Sequence, residues 1–216
     1  MMEGHELWIF GAAAVVVAAV VLAARWYEKK RTAALQDVAM RLGLSFLARD
    51  ESIGTQPFAS LPLFQRGESR RFRNVARGDE LFVFGYSFTT GSGKNKSTYQ
   101  QTVVALRVAN VRLPAFQLSP EGFFDKIGTA FGGQDIDLDT DPEFSRRNRL
   151  RGEDEVAVKA LFGQALRQHL AMDPGWSVEG AGEWLIIYRK RKRVAPDELA
   201  TFVEQARRFA ELIGRG

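Results

Sequence analysis

Cysteine is absent from the 216-residue chain and histidine nearly so, with two. Without a thiol there is no disulfide, no cysteine nucleophile and no cysteine-based metal site. Of the two histidines, His5 precedes a long apolar run, and His169 falls late in a predicted helix, where a cation suits the C-terminal dipole. A Ser-His-Asp arrangement would have to use His169, and the sequence holds no G-x-S-x-G. Also missing are a Pro-, Ser- or Gly-rich linker and any repeat of fixed period. What remains for catalysis is acid-base work by paired carboxylates, with residues 135–143 the one dense candidate. The chain therefore leans away from an enzyme.

The most conspicuous feature present is the run LWIFGAAAVVVAAVVLAA at residues 7–24. Eighteen residues at 1.5 Å each make a helix of about 27 Å, close to the hydrocarbon thickness of a bilayer. Trp8 near its start, and Trp26 with Tyr27 past its end, sit where amphipathic rings favour headgroups. Glu3 and Glu6, with no basic residue before the run, make a poor signal-peptide leader, so a retained anchor is expected. Arg25, Lys29, Lys30 and Arg31 follow it against a single Glu28. By the positive-inside rule the N-terminus is outside and the C-terminal domain is cytoplasmic, on a single-pass inner-membrane protein. The same four cations are candidate contacts for anionic lipid headgroups. Ala14 with Ala18, or Ala19 with Ala23, has the small-xxx-small spacing that permits a homodimer.

All thirty Lys and Arg lie after this run against twenty-four acids, a balance of +6 that suits an acidic membrane surface and is too small to imply nucleic acid. The expected class is α+β: an N-terminal transmembrane helix, then antiparallel hairpins packed with helices. The expected division is a short extracytoplasmic N-terminus (1–6), the transmembrane helix (7–24), a juxtamembrane helix (25–43) and a soluble domain (44–216), with a break between two lobes at 128–134.

Within that domain, Leu35, Val38, Ala39 and Leu42 fall at helical spacing, stopped by Gly43, on a helix that continues from the anchor. LSFLA at 44–48 reads as a short strand, and Pro62 makes the segment around it irregular. RFRNVARGDE, LFVFGYSF and YQQTVVALRVA read as three antiparallel strands, with Phe82, Phe84, Tyr86 and Phe88 on one face. SPEGFFDKIG predicts a short helix with Ser119 as N-cap, Pro120 at its first position and Gly128 as its stop. EDEVAVKALFGQALRQHLA predicts one helix with Val158, Leu161, Phe162, Ala165 and Leu166 along its apolar stripe. WSVEG and EWLIIYRK form a second hairpin around Gly180 and Gly182, and a last helix starts at Pro196.

Three stretches invite a functional reading. TTGSGKNKST (89–98) looks like a phosphate-binding loop, but Phe88 stands where its first Gly belongs and Asn95 where Ser or Thr belongs. It reads as a hairpin loop whose Lys94 and Lys96 are candidate phosphate or headgroup contacts. DIDLDTD offers Asp135, Asp137, Asp139 and Asp141 as oxygen ligands for a divalent metal. It is no EF-hand, since Thr140 and Arg146 occupy the sixth and twelfth positions. The alternation with Ile136 and Leu138 reads better as an edge strand, or as carboxylates pairing with the following RRNRLR. The basic clusters RRFR (70–73), RRNRLR (146–151) and RKRKR (189–193) would make an anion-binding face for membrane or RNA if they converged, and ordinary solvated strand ends if they did not.

As a whole pattern, the chain resembles a set of hypothetical bacterial single-pass membrane proteins. The residues that carry this are the aromatic strand with TTGSGKNKST, then LPAFQLSPEG, GGQDIDLDTDPEFSRRNRLRGEDE and the GWSVEG–WLIIYR hairpin. That resemblance implies a bacterial inner membrane and brings no catalytic residues. The expected function is a non-enzymatic, membrane-anchored binding or scaffold domain without a cofactor, with the bilayer and a protein as partners. Its alternatives are a metal-dependent or carboxylate acid-base enzyme on Asp135–Asp141, and RNA or anionic-lipid binding through the basic clusters.

Overall fold

A computed structural model of the chain describes residues 3–108, 111–121, 135–138 and 140–213, with the side chains of residue 10 and of residues 12 onward. Helix α1 (Glu3–Arg41) leads into strand β1 (Ser45–Arg49). Two 3-10 turns and the short helix α2 (Pro62–Gln65) follow, then β2 (Glu68–Arg77), β3 (Leu81–Thr90), β4 (Ser97–Arg107) and β5 (Leu113–Pro120). Next among the described residues come α3 (Pro142–Arg147), β6 (Asn148–Gly152), α4 (Glu155–Leu161) and α5 (Gln164–Met172). The chain closes with β7 (Ser177–Gly182), β8 (Trp184–Tyr188), a 3-10 turn and α6 (Leu199–Ile213). The strands make one eight-stranded sheet in the order β1-β2-β3-β4-β8-β7-β5-β6, with every neighbouring pair antiparallel.

The central strands are buried on both faces, which explains why LFVF and LIIY read as continuous apolar runs. On one face Val83, Val104, Leu185 and Ile187 meet the C-terminal part of α1 and the helices α4 to α6. On the other, Phe82, Phe84, Tyr86, Phe88, Val103 and Ile186 meet Ile53, Phe58, Leu63 and Phe64 of the segment between β1 and β2. Phe82 through Phe88 thus share a face as their alternation predicts. Helix α6 buries Leu199, Phe202, Val203, Ala206, Phe209 and Ile213, spaced three and four apart, on one stripe. Gly43 ends α1 with φ +72°, the left-handed conformation common just past a helix end, while Leu44 N–H returns to the Ala39 carbonyl at 2.9 Å.

Several expectations are corrected. Among the described residues no helix is long and apolar enough to cross a membrane. This overturns the transmembrane helix at 7–24 and, with it, the single-pass inner-membrane localisation and its N-out, cytoplasmic-domain topology. Ser119 and Pro120 do not start a helix: they end β5, opposite Arg149 and Asn148 of β6, where the missing N–H of proline costs no interior ladder bond. The remainder of that predicted helix (122–128) and the break at 128–134 lie outside the described residues. The predicted helix at 153–171 is two helices. Phe162 leaves the helical conformation and is buried against Phe116 and Phe144, and Gly163, a weak helix former, opens α5. Ala165 consequently faces out while Val158, Phe162, Leu166 and Leu170 are all buried.

Candidate functional site

Between α1 and the outer half of the sheet lies a cavity of about 550 Å³, a size suited to a small ligand. Its inner end is apolar, lined by Leu35, Ala76, Val83 and Leu199. Its outer end is polar because β2, β3 and β4 extend past the helix layer and turn Ser87, Thr89, Thr98 and Gln100 toward it. The charge is lopsided, with Arg31, Arg71, Arg73, Lys96 and Arg193 on the lining and Glu28 the one acid. A second depression of about 400 Å³ on the other flank of α1 shares Glu28, Arg73 and Asn74 and adds Lys29 and Arg49.

Strand geometry supplies two of these cations. Arg71 pairs with Ser87, Arg73 with Gly85, and Phe72 between them packs on the opposite face. The register of β2 shifts between Arg73 and Ala76, where Asn74 adopts φ +51°. Such a bulge re-aims side chains. Here Val75 stays in the aromatic layer and Ala76 in the helical one, while the Asn74 Oδ1 accepts a hydrogen bond from the Thr32 hydroxyl at 2.9 Å. Neither Arg71 nor Arg73 has an ion-pair partner among the described residues.

The mouth of the groove is held by contacts from α1 to the segment before α6. Arg193 donates from both terminal nitrogens to both oxygens of Glu28, at 2.9 and 2.8 Å. Arg31 donates to the Val194 carbonyl at 2.6 Å, and Val194 N–H donates to the Thr102 hydroxyl at 2.9 Å. Arg193 holds the Glu28 carboxyl below the usual carboxylate range, with lesser help from Arg31 and Arg73 and against the opposing effect of burial. Arg31 is lowered, chiefly by burial and then by Arg193, and its Nε has no partner.

Of the residues singled out in the sequence, Arg31 and Lys96 line the groove and Lys29 the smaller depression. Lys30 folds back over the Trp26 ring at 3.9 Å, and Arg25 and Lys94 are exposed on neither lining. The basic clusters converge in part. RRFR contributes Arg71 and Arg73, and RKRKR contributes Arg193, whereas Arg70 turns to the Gln65 and Gly67 carbonyls. RRNRLR goes elsewhere: Arg149 and Arg151 pair with Asp135 at 3.0 and 2.7 Å, and Arg146 and Arg147 pair with Glu143. Strict alternation around Phe72 was the available signal for Arg71 and Arg73. For Arg193 there was none, because its partner Glu28 lies 165 positions away.

The acidic stretch is not the expected edge strand, since residues 135–138 are extended without joining the sheet, but its alternation holds: Ile136 and Leu138 are buried, Asp135 and Asp137 are exposed, and Ile136 N–H donates to the Leu150 carbonyl of β6. Asp141 caps α3 through the Phe144 N–H at 3.0 Å and pairs with Arg167. Asp139 lies outside the described residues. Among the described residues no group of three or more His, Cys, Asp or Glu stands together as metal ligands would.

The fold is that of an α+β protein with an eight-stranded antiparallel sheet and helices. A solved structure with a similar fold is the crystal structure of the mycobacterial trehalose monomycolate transport factor A, TtfA, with a TM-score of 0.62. The likeness covers 85% of this chain and 94% of that one at 10% sequence identity, so it is a likeness of fold. No family model and no curated protein sequence matches the chain.

Proposed function

We propose that the protein is a non-enzymatic accessory or binding protein, and that its groove takes a small amphiphile with an anionic end. The observation that carries this is the make-up of the cavity lining, which combines apolar Leu35, Val83 and Leu199 with five cations against one carboxylate. An amphiphile with an oxyanion matches both ends. Its tail removes apolar surface from water, and its head meets Arg71 and Arg73, which have no ion-pair partner among the described residues. The structural neighbour is described as a transport factor, which supports an accessory role over a catalytic one.

Isothermal titration of the full chain with short-chain dihexanoyl phosphatidate, with hexyl glucoside as the neutral control, tests the reading. Binding of the phosphatidate, weakened by salt and reduced about tenfold or more in an R71Q/R73Q double variant, is expected. Undiminished binding by the double variant, or none by the wild type, would sink it.

A further inference from the structure

Resting on that reading of the groove, we propose that Glu28 is an internal stand-in for the ligand's oxyanion. Its carboxylate occupies the subsite on Arg193, and an anionic ligand binds by displacing it.

Arg193 meets Glu28 fork to fork, two nitrogens to two oxygens at 2.9 and 2.8 Å. A carboxylate or phosphate presents the same pair of oxygens in the same plane, so the geometry that seats Glu28 seats either of them. The position is already tuned for negative charge, since Arg31 and Arg73 add to the attraction that Arg193 exerts on it. Glu28 is also the one acid on the groove lining, where Lys96 pairs with Glu68 outside it at 3.6 Å and Arg71 and Arg73 have no ion-pair partner among the described residues.

The exchange is cheap and local. The two side chains retain 43% and 38% of their surface in solvent, and an ion pair so exposed is worth little, so a competing oxyanion of higher charge can take Arg193. Helix α1 need not leave, because Arg31 still holds the Val194 carbonyl and Thr32 still holds Asn74. Glu28 swings out while the helix remains a wall of the groove. In this arrangement Glu28 sets specificity. A neutral amphiphile has nothing to offer Arg193 and leaves the ion pair closed, whereas an anion opens it.

The experiment is titration of the full chain, wild type against E28Q, R193Q and the double variant, with inorganic phosphate, dihexanoyl phosphatidate and hexyl glucoside. Removing the competitor should tighten phosphatidate binding about threefold in E28Q, the scale of an exposed ion pair, and removing the subsite should weaken it about tenfold in R193Q and equally in E28Q/R193Q. A gain for phosphate as well assigns the subsite to the oxyanion itself. A gain for phosphatidate alone assigns it to a lipid-borne one, and hexyl glucoside should not respond to E28Q in either case. Wild-type binding that E28Q leaves unchanged or weakens overturns the stand-in while leaving the groove in place. An equal gain for hexyl glucoside also overturns it, since that would mean mere widening of the mouth. Failure of every variant to bind any probe overturns the groove itself. Thermal melting by circular dichroism checks that each variant folds, and E28A repeats the test should E28Q not fold.

Discussion

Glu179, with none of its surface exposed, accepts the backbone N–H of Leu63 at 2.8 Å across 116 positions of sequence. Its other oxygen accepts from Gln117 Nε2 at 2.7 Å and from the Tyr188 hydroxyl at 2.8 Å. Leu63 lies in the first turn of α2, where N–H groups have no acceptor within the helix. A single side chain of β7 therefore ties the irregular layer at residues 51–65 to the sheet. Replacing it with leucine strands three buried donors and should cost about 3–5 kcal/mol, more than the loss of one neutral hydrogen bond. Urea unfolding of E179L would measure this, and a cost under about 1 kcal/mol would contradict the assignment.

Trp176 anchors the opposite face. It is fully buried, lies against the Phe202 and Phe209 rings at 5.2 and 5.3 Å, and donates from Nε1 to Asp173 at 3.0 Å. Truncation to alanine should cost about 3–5 kcal/mol, through lost burial and the cavity left behind. The urea midpoint should fall with little change in slope, because α6 would lose packing without the fold changing.

His169 adds a pH dependence near neutrality. Its ring meets Phe209 edge-on at 4.8 Å, its Nε2 is buried without a partner, and burial pushes its pKa down despite the nearby Asp173. A depressed folded-state pKa means that the unfolded chain binds the proton more readily. Stability is then full above the unfolded value, about 6.5, and is lost as pH falls from there through the folded value. Denaturant midpoints at pH 7.5 and 5.5 should differ in the wild type and differ less in H169L; equal differences would exclude His169 as the source.

A second, more acidic window belongs to Glu28. Arg193 depresses its carboxyl, so the stability it contributes is present above the unfolded carboxylate value, about 4.3, and disappears as pH falls through the lower folded one. The contribution is small because both partners are partly solvated. R193Q should flatten the wild-type decline between pH 5 and 3, and an identical decline in both proteins would show that other carboxylates dominate.

Much of the fold was legible wherever a periodicity ran long enough to express itself. The stripe of α6, the alternation through Phe82 to Phe88 and the glycine stop at residue 43 are local patterns, and each appears in the structure as its spacing requires. Ser119 and Pro120 misled because a serine followed by proline fits a helix start and a strand end equally well in isolation. Pairing with Asn148 and Arg149 decided between them. The helix predicted across Phe162 and Gly163 failed for a similar reason: the apolar stripe was real, but burial of Phe162 against Phe116 outweighed continuity of the helix.

Residue patterns alone were enough for the α+β class and the antiparallel pairing of strands that follow one another, while pairing of Asp135 with the following arginines was one of two readings and packing beside β6 selected it. Closure of the whole sheet was needed to place the β7–β8 hairpin between β4 and β5 and to bring Arg31, Arg71, Arg73, Lys96 and Arg193 around one cavity. The reason is distance along the chain. Composition and spacing report which face a residue occupies, while the partner it meets there, as with Glu28 and Arg193, is set by how the layers close over the whole sheet.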